Sequence, residues 1–212
     1  MRYTDCMQKQ HWRRINFGLL AVIILINGYI LMTPLIPAIS YWWHARDPHA
    51  TKQLTERLHE AKPPSTATAD TAFRAGPNHD GLIIPKMLLD TPLIEGPMSD
   101  SFNLLNKGAW RLPIASSPDK GGNTVIAGHR FSYTGPRGVF YYLNKLEPGD
   151  EVGLWYHGTR YLYKVQSTRT VAATEVSVQQ PTSETRLTLY TCTPLWNPVS
   201  RLVVVATPEK TS

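Results

Sequence analysis

Three side chains in this chain are suited to acyl-transfer chemistry: a cysteine, a histidine and an arginine. Cys192 lies within Arg186-Leu-Thr-Leu-Tyr-Thr-Cys-Thr-Pro-Leu-Trp-Asn-Pro-Val-Ser-Arg201, and Leu202-Val-Val-Val-Ala206 follows. The thiolate is the working nucleophile of cysteine, and nearby positive charge favours it. Arginine stays protonated and can hold a developing oxyanion. A proton carrier would complete the set. His129 stands in a comparable setting, Asn123-Thr-Val-Ile-Ala-Gly-His129-Arg130.

The elements that must position these residues are strands. Leu187 and Leu189 alternate with Thr188 and Tyr190, the period of a half-buried strand. Pro194 and Pro198 break the pattern and impose a loop. Leu202 to Val205 suits a fully buried strand. Cys192 therefore ends one strand and Arg201 starts the next. If the two strands pair through the loop, thiol and guanidinium face each other at one rim of a sheet. Thr124 to Ala127 is a short apolar strand, and Gly128 allows a tight turn before His129.

Thr-Leu-Tyr-Thr-Cys192-Thr-Pro followed by Arg201 resembles the Thr-Leu-x-Thr-Cys…Arg signature of sortases. Val-Ile-Ala-Gly-His129-Arg resembles the sortase histidine strand. The form is most like class C or the related class D and E sortases. The resemblance spans roughly 81–208. It implies an all-β fold, an eight-stranded sortase-type barrel with one or two short helices. It implies Cys192 as nucleophile, His129 as general acid/base and Arg201 as substrate positioner and oxyanion holder. Thr191, Thr193 and Trp196 become candidate substrate-binding residues, and Tyr190 could share an apolar groove with Trp196. The implied reaction is transpeptidation of a Leu-Pro-x-Thr-Gly-like sorting signal through a thioacyl-enzyme. The partners would be sorting-signal-bearing surface proteins and an amine acceptor from a cell-wall precursor or a pilin. No cofactor or metal is implied. No carboxylate cluster resembles the class A calcium site: Glu147, Asp150 and Glu151 lie near one turn, with Glu175 further on.

Each assignment has a plain structural alternative. Cys192 could be a small buried hydrophobe. His129 could be a satisfied structural histidine, with His157 in a probable hairpin turn as its nearest rival. Arg201 could be solvated, Thr191 a strand threonine, and Trp196 and Tyr190 core residues. The corresponding alternative function is a catalytically inert, membrane-tethered β-barrel that only binds. Papain-like peptidases place cysteine before histidine, the reverse of the order here. The Ser-x-Gly-Cys signature of L,D-transpeptidases is absent.

The 212 residues carry a net charge of +6. Residues 1–14 hold four basic and one acidic side chain, residues 44–80 five of each, and residues 81–207 twelve and nine. No long basic run occurs, which argues against nucleic acid. The basic tail suits anionic lipid better. Between Ile15 and Ala45 there is no Asp, Glu, Lys or Arg, and Phe17 to Ile39 exceeds the roughly 20 apolar residues that cross a bilayer core. Arg2, Lys9, Arg13 and Arg14 precede it against Asp5 alone, which puts the N-terminus in the cytoplasm. Tyr41, Trp42 and Trp43 would form the outer aromatic belt. Pro34 and Pro37 weaken the last helical turn, and Asn27 is a mild cost. The rival is a cleaved signal peptide, but the apolar run is long and no small-x-small site follows. The expected layout is a cytoplasmic tail over 1–14, a single-pass anchor over 15–43, an extracellular linker over 44–80 and a catalytic domain over 81–208. The two cysteines, Cys6 and Cys192, then lie on opposite sides of the membrane, which forbids a disulfide between them.

In the linker, Leu54 and Leu58 lie four apart, consistent with a short amphipathic helix ended by Pro63 and Pro64. Ser65 to Ala72 reads as a flexible spacer. Asp47-Pro48-His49 shares only its first two residues with the lid motif of pilin sortases, and ordinary stalk is the reading. In the domain, Leu82 to Ile84, Met87 to Leu89 and Pro92 to Glu95 are candidate strands, punctuated by Pro85 and Asp90. Leu104 to Trp110 is a candidate helical turn, and Lys120-Gly-Gly-Asn123 a turn before the histidine strand. Glu151 to Trp155 and Tyr161 to Val165 form a candidate hairpin around His157-Gly158, with Thr168 to Ala172 a further strand.

Overall fold

The structure, a computed structural model, describes residues 2–32, 39, 41–43, 48–59, 73–131, 138–195 and 197–209. The chain divides into two units, Met1–Arg46 and Asp47–Ser212. In the first, helix α1 runs over Arg2–Met32. Its segment Trp12–Met32 is long and apolar enough to cross a membrane. Every side chain of that segment is exposed. Asn27 limits its own cost by donating its side-chain N–H to the Ile23 carbonyl at 2.8 Å. The Trp42 and Trp43 rings pack edge to face, 5.5 Å apart. Pro34 and Pro37 lie outside the described residues.

The second unit is a closed barrel of eight strands: β1 (Gly81–Ile84), β2 (Leu89–Ile94), β3 (Ala109–Arg111), β4 (Asn123–Ala127), β5 (Glu151–Tyr156), β6 (Thr159–Ala172), β7 (Arg186–Thr193) and β8 (Ser200–Pro208). Around the wall they follow the order β1-β2-β3-β4-β7-β8-β6-β5 and return to β1. The contacts β2–β3 and β4–β7 are parallel; the others are antiparallel. Closure leaves no free sheet edge. Strand alternation sends Ile126, Leu187, Leu189, Leu202, Val204 and Ala206 into the interior cluster, with Phe140 and Tyr163. The opposite face of β3 and β4 carries a second cluster: Trp110, Val125 and Ala127 pack with Leu104, and Tyr190 rests against them. Leu104 belongs to a short helix, α3 (Ser101–Leu105), entered through a 3-10 turn at Met98–Asp100.

Helix α2 (Pro48–His59) forms where Leu54 and Leu58 mark an apolar stripe. Leu58 is wholly buried among Ala75, Ile83 and Trp155. That burial stabilises the docked helix by about 2 kcal/mol. Gly153 makes room for it, because a Cβ there would overlap Leu58 Cδ1. Arg57 pairs with Asp90 at 2.7 Å and His59 with Glu151 at 2.9 Å. Part of the expected linker therefore packs on the barrel. Pro63, Pro64 and the spacer Ser65 to Ala72 lie outside the described residues.

Several strand boundaries differ from the sequence reading. Met87 to Leu89 is not a strand: Pro85–Met87 forms a 3-10 turn, and Leu88 takes φ 51°. Strand β2 then runs through Asp90, whose carboxylate accepts from the Ala75 N–H at 2.9 Å. The candidate turn at Leu104 to Trp110 contains the end of α3 and the start of β3. The separate strands at Tyr161 and Thr168 are one strand, β6, with a register shift between Val165 and Ser167. Polar residues at that bulge interrupt the alternation without ending the strand. The hairpin at His157-Gly158 forms with φ 47° and 79°, the two positive angles of a type I′ turn.

Asn123 is a strand residue rather than part of the turn, and it is wholly buried. Its amide donates to the Val178 and Gln180 carbonyls at 3.1 and 2.9 Å and accepts from Thr188 Oγ1 at 2.6 Å. Asn123→Leu should strand all three groups and lower stability by about 2–3 kcal/mol. Denaturant unfolding of the full chain in detergent would read this as a lower midpoint with an unchanged slope.

Candidate active site

The parallel pairing of β4 with β7 brings the histidine segment to the cysteine strand. Ala127 lies opposite Tyr190, the last pair of that register; Thr191 is then bonded to Gly128, and Cys192 and His129 are the residues that follow on the two chain ends. Neighbouring strands run about 4.8 Å apart, which allows imidazole and thiol to meet. Two side-chain bonds bracket this pair. Thr191 Oγ1 donates to the Gly128 carbonyl at 2.7 Å, and Arg130 Nη1 donates to Thr193 Oγ1 at 2.6 Å. On the other side of β7, the antiparallel register places Cys192 directly opposite Arg201. Leu202 and Val204 face the interior, so Arg201 shares the outer face with Cys192.

His129 is on that outer face too. Its ring meets Phe102 of α3 edge-on, with centroids 6.3 Å apart and an interplanar angle of 71°. Phe102 is 72% exposed, so it forms an apolar wall beside the histidine rather than core. Burial lowers the His129 pKa below that of an ordinary histidine by disfavouring the charged ring. Cys192 is a free, partly exposed cysteine. The Arg201 guanidinium donates to the Ser200 carbonyl at 3.1 Å. Burial raises the pKa of Tyr190, which also feels the charges of Arg201 and Cys192.

Backbone contacts hold the histidine from the far side. The His129 carbonyl accepts from the Phe140 N–H at 2.9 Å, and the Arg130 carbonyl from the Gly138 N–H at 3.2 Å. Gly128 is needed for space rather than for a turn: a Cβ there would sit 2.6 Å from Val139 Cγ2 and 2.7 Å from Phe140 Cδ2. Gly138 has still less room, and its Cβ would overlap the His129 carbonyl. Gly138→Ala should therefore displace the histidine segment and cost about 1–3 kcal/mol. Chemical denaturation of the full chain checks this.

The other candidates fall in different places. Thr191 is 2% exposed, with its hydroxyl committed to Gly128. Thr193 accepts from Arg130 at the strand end, and the Thr193–Pro194 peptide is cis. Trp196 lies outside the described residues. His157 sits at the β5–β6 turn, where its N–H donates to Asp80 Oδ1 at 2.8 Å. It lies two residues before Thr159, where β6 begins, whereas the other end of β6, Ala172, pairs with Ser200 beside Arg201. The strand between spans on the order of 40 Å of extended chain, so His157 is no partner for Cys192. Arg130 and Phe102 escaped the sequence reading. Arg130 carried a visible signal, adjacency to His129; Phe102 carried none. Among the described residues, no group of three or more His, Cys, Asp or Glu side chains could hold a metal ion.

A family model described as a sortase domain matches residues 82–209. Sortase SrtE1 of Streptomyces coelicolor is 28% identical over 202 residues, which cover 86% of this chain and 54% of that protein. The crystal structure of sortase E1 from Streptomyces coelicolor with a tripeptide in the active site superposes with a TM-score of 0.54. It is 28% identical and covers 62% of this chain and 88% of that one. Sortase C1 of GBS pilus island 1 gives a TM-score of 0.56 at 25% identity, covering 63% and 66%. The chain spans about half the length of the curated relatives it matches, or less. The fold is the sortase-type barrel. The chain belongs to the sortase family.

Proposed function

We propose that this protein is a membrane-anchored cysteine transpeptidase that cuts a Leu-Pro-x-Thr-Gly-like sorting signal and joins it to an amine of the cell wall or of a pilin. The reading rests above all on the Cys192–Arg201 register, together with the two side-chain bonds that join the His129 segment to the Cys192 strand end, in a sortase-family barrel. The Cys192 thiolate attacks the threonyl carbonyl carbon. The tetrahedral oxyanion is held by Arg201. The carbon–nitrogen bond to glycine breaks, and the His129 imidazolium gives its proton to the leaving amine. A thioester on Cys192 remains. The acceptor amine then attacks it, neutral His129 takes the amine proton, and the thiolate leaves. Thr191 and Thr193, assigned to substrate binding, act by fixing the rim beneath the peptide through their bonds to Gly128 and Arg130. Trp196 is the third residue assigned to substrate binding.

In this reading residues 1–14 are cytoplasmic, 15–43 the single-pass anchor, 44–80 the extracellular connection and 81–208 the catalytic domain. The basic residues ahead of the apolar span support that orientation.

Cleavage of a fluorogenic sorting peptide by the full chain in detergent tests the activity. The aminolysis step needs neutral His129. Because burial lowers its pKa, the neutral form is present above a midpoint that lies below the usual 6.5. At a fixed concentration of unprotonated acceptor amine, the aminolysis rate should hold from neutral pH down past 6.5 and fall only at more acid pH. A midpoint above 6.5 would contradict the role. No turnover on any sorting peptide, from folded protein with an unreactive Cys192, would leave a barrel that only binds.

A further inference from the structure

The ladder that joins β4 to β7 stops short of the candidate catalytic pair. Its last backbone bond runs from the Gly128 N–H to the Tyr190 carbonyl at 3.3 Å. His129 and Cys192 lie beyond it. One contact extends the pairing past that point: Arg130 Nη1 donates to Thr193 Oγ1 at 2.6 Å. Among the described residues, the buried Arg130 Nε has no hydrogen-bond partner. Burial pushes the Arg130 pKa down, and Tyr141 is the titratable side chain acting against that shift. Burying an N–H donor without a partner is costly, and such local violations concentrate at functional sites.

We propose that Arg130 is a positioning residue: through Thr193 it clamps the chain end that carries His129 to the strand end that carries Cys192. The proposal rests on the acyl-transfer reading of those two residues. The clamp works on the interior side of the rim, since Gly128 and Thr191 face each other there and Arg130 and Thr193 repeat that parity two residues on. It leaves the outer face, with Arg201, open to substrate. A loosened rim lets imidazole and thiol drift apart, and an error near 1 Å costs on the order of 100-fold in rate.

The test compares the full chain with Thr193→Val, Arg130→Ala, Arg130→Lys and the double variant Arg130→Ala/Thr193→Val. Thr193→Val removes the acceptor with little change of shape. Sorting-peptide kinetics should show kcat lowered about 10- to 100-fold in Arg130→Ala and Thr193→Val, with KM within about twofold. The double variant should be no worse than either single one, and Arg130→Lys should recover part of the rate.

A substrate-free readout runs beside the kinetics: alkylation of Cys192 by iodoacetamide as a function of pH. Among the described residues, the charged and titratable groups around the thiol are His129, Tyr190 and Arg201, with Arg130 behind the rim and Tyr141 beside Arg130. The limb due to His129 is the one that His129→Ala removes. It should also vanish in Arg130→Ala and Thr193→Val. Retention of both kcat and the His129 limb in either variant would overturn the clamp, as would a double variant whose loss is the product of the two singles. If Arg130→Ala does not fold, Thr193→Val decides alone. If the unmodified protein cleaves no sorting peptide, the acyl-transfer reading falls, and the His129 limb still decides the clamp.

Discussion

Cys192→Ala should abolish sorting-peptide cleavage, with kcat/KM down by at least about four orders of magnitude. The expectation follows from the chemistry. Without the sulfur no thioester forms, and the remaining groups can only help water, a poor nucleophile at neutral pH. Stability should change little, because Cys192 is partly exposed at the end of β7 and its neighbours hold their own bonds. Steady-state kinetics on full-length protein in detergent, beside a thermal melt, makes the comparison. Unfolding of the variant would instead give Cys192 a packing role.

Arg201→Ala should lower the rate of thioacyl formation about 100- to 1,000-fold, the usual cost of one oxyanion-holding group. The register sets Arg201 across from Cys192 on the outer face, where a carbonyl under attack would lie. Lysine should rescue poorly, since an ammonium cannot reproduce the planar fork of donors. As a half-buried rim residue, Arg201 should contribute no more than about 0.5 kcal/mol to stability. Rapid-quench measurement of the first turnover separates this loss from changes in peptide binding. A variant that acylates at the parent rate would return Arg201 to the role of a solvated surface residue.

The Cys192–Arg201 facing was legible because a two-strand argument sufficed. Alternation through Leu187 and Leu189, two prolines in the loop and the apolar run from Leu202 leave little freedom of register. The approach of His129 was not legible from local pattern. It depends on β4 lying parallel to β7, a long-range choice that neither segment encodes by itself. The family resemblance supplied that step. Strand edges failed where tertiary structure overrode the period of two. Leu88 adopts a left-handed angle that its type disfavours, and β6 continues through a polar bulge. The stripe of Leu54 and Leu58 was visible. The pocket receiving Leu58 was not, because it depends on the missing side chain of Gly153 on β5, with four strands between them in the chain. Arg130 stood in plain view beside His129, but its bond to Thr193 exists only once the two strand ends lie together.

Intact-protein mass spectrometry of the full chain, mixed with a Leu-Pro-x-Thr-Gly peptide and quenched early, tests the central claim most directly. The expected result is an adduct with the mass of the peptide's acyl half, mapped to Cys192, cleared by added amine and absent in Cys192→Ala. No adduct across several sorting peptides, from protein that is folded by circular dichroism, would contradict the transpeptidase reading and leave a tethered barrel whose rim only binds.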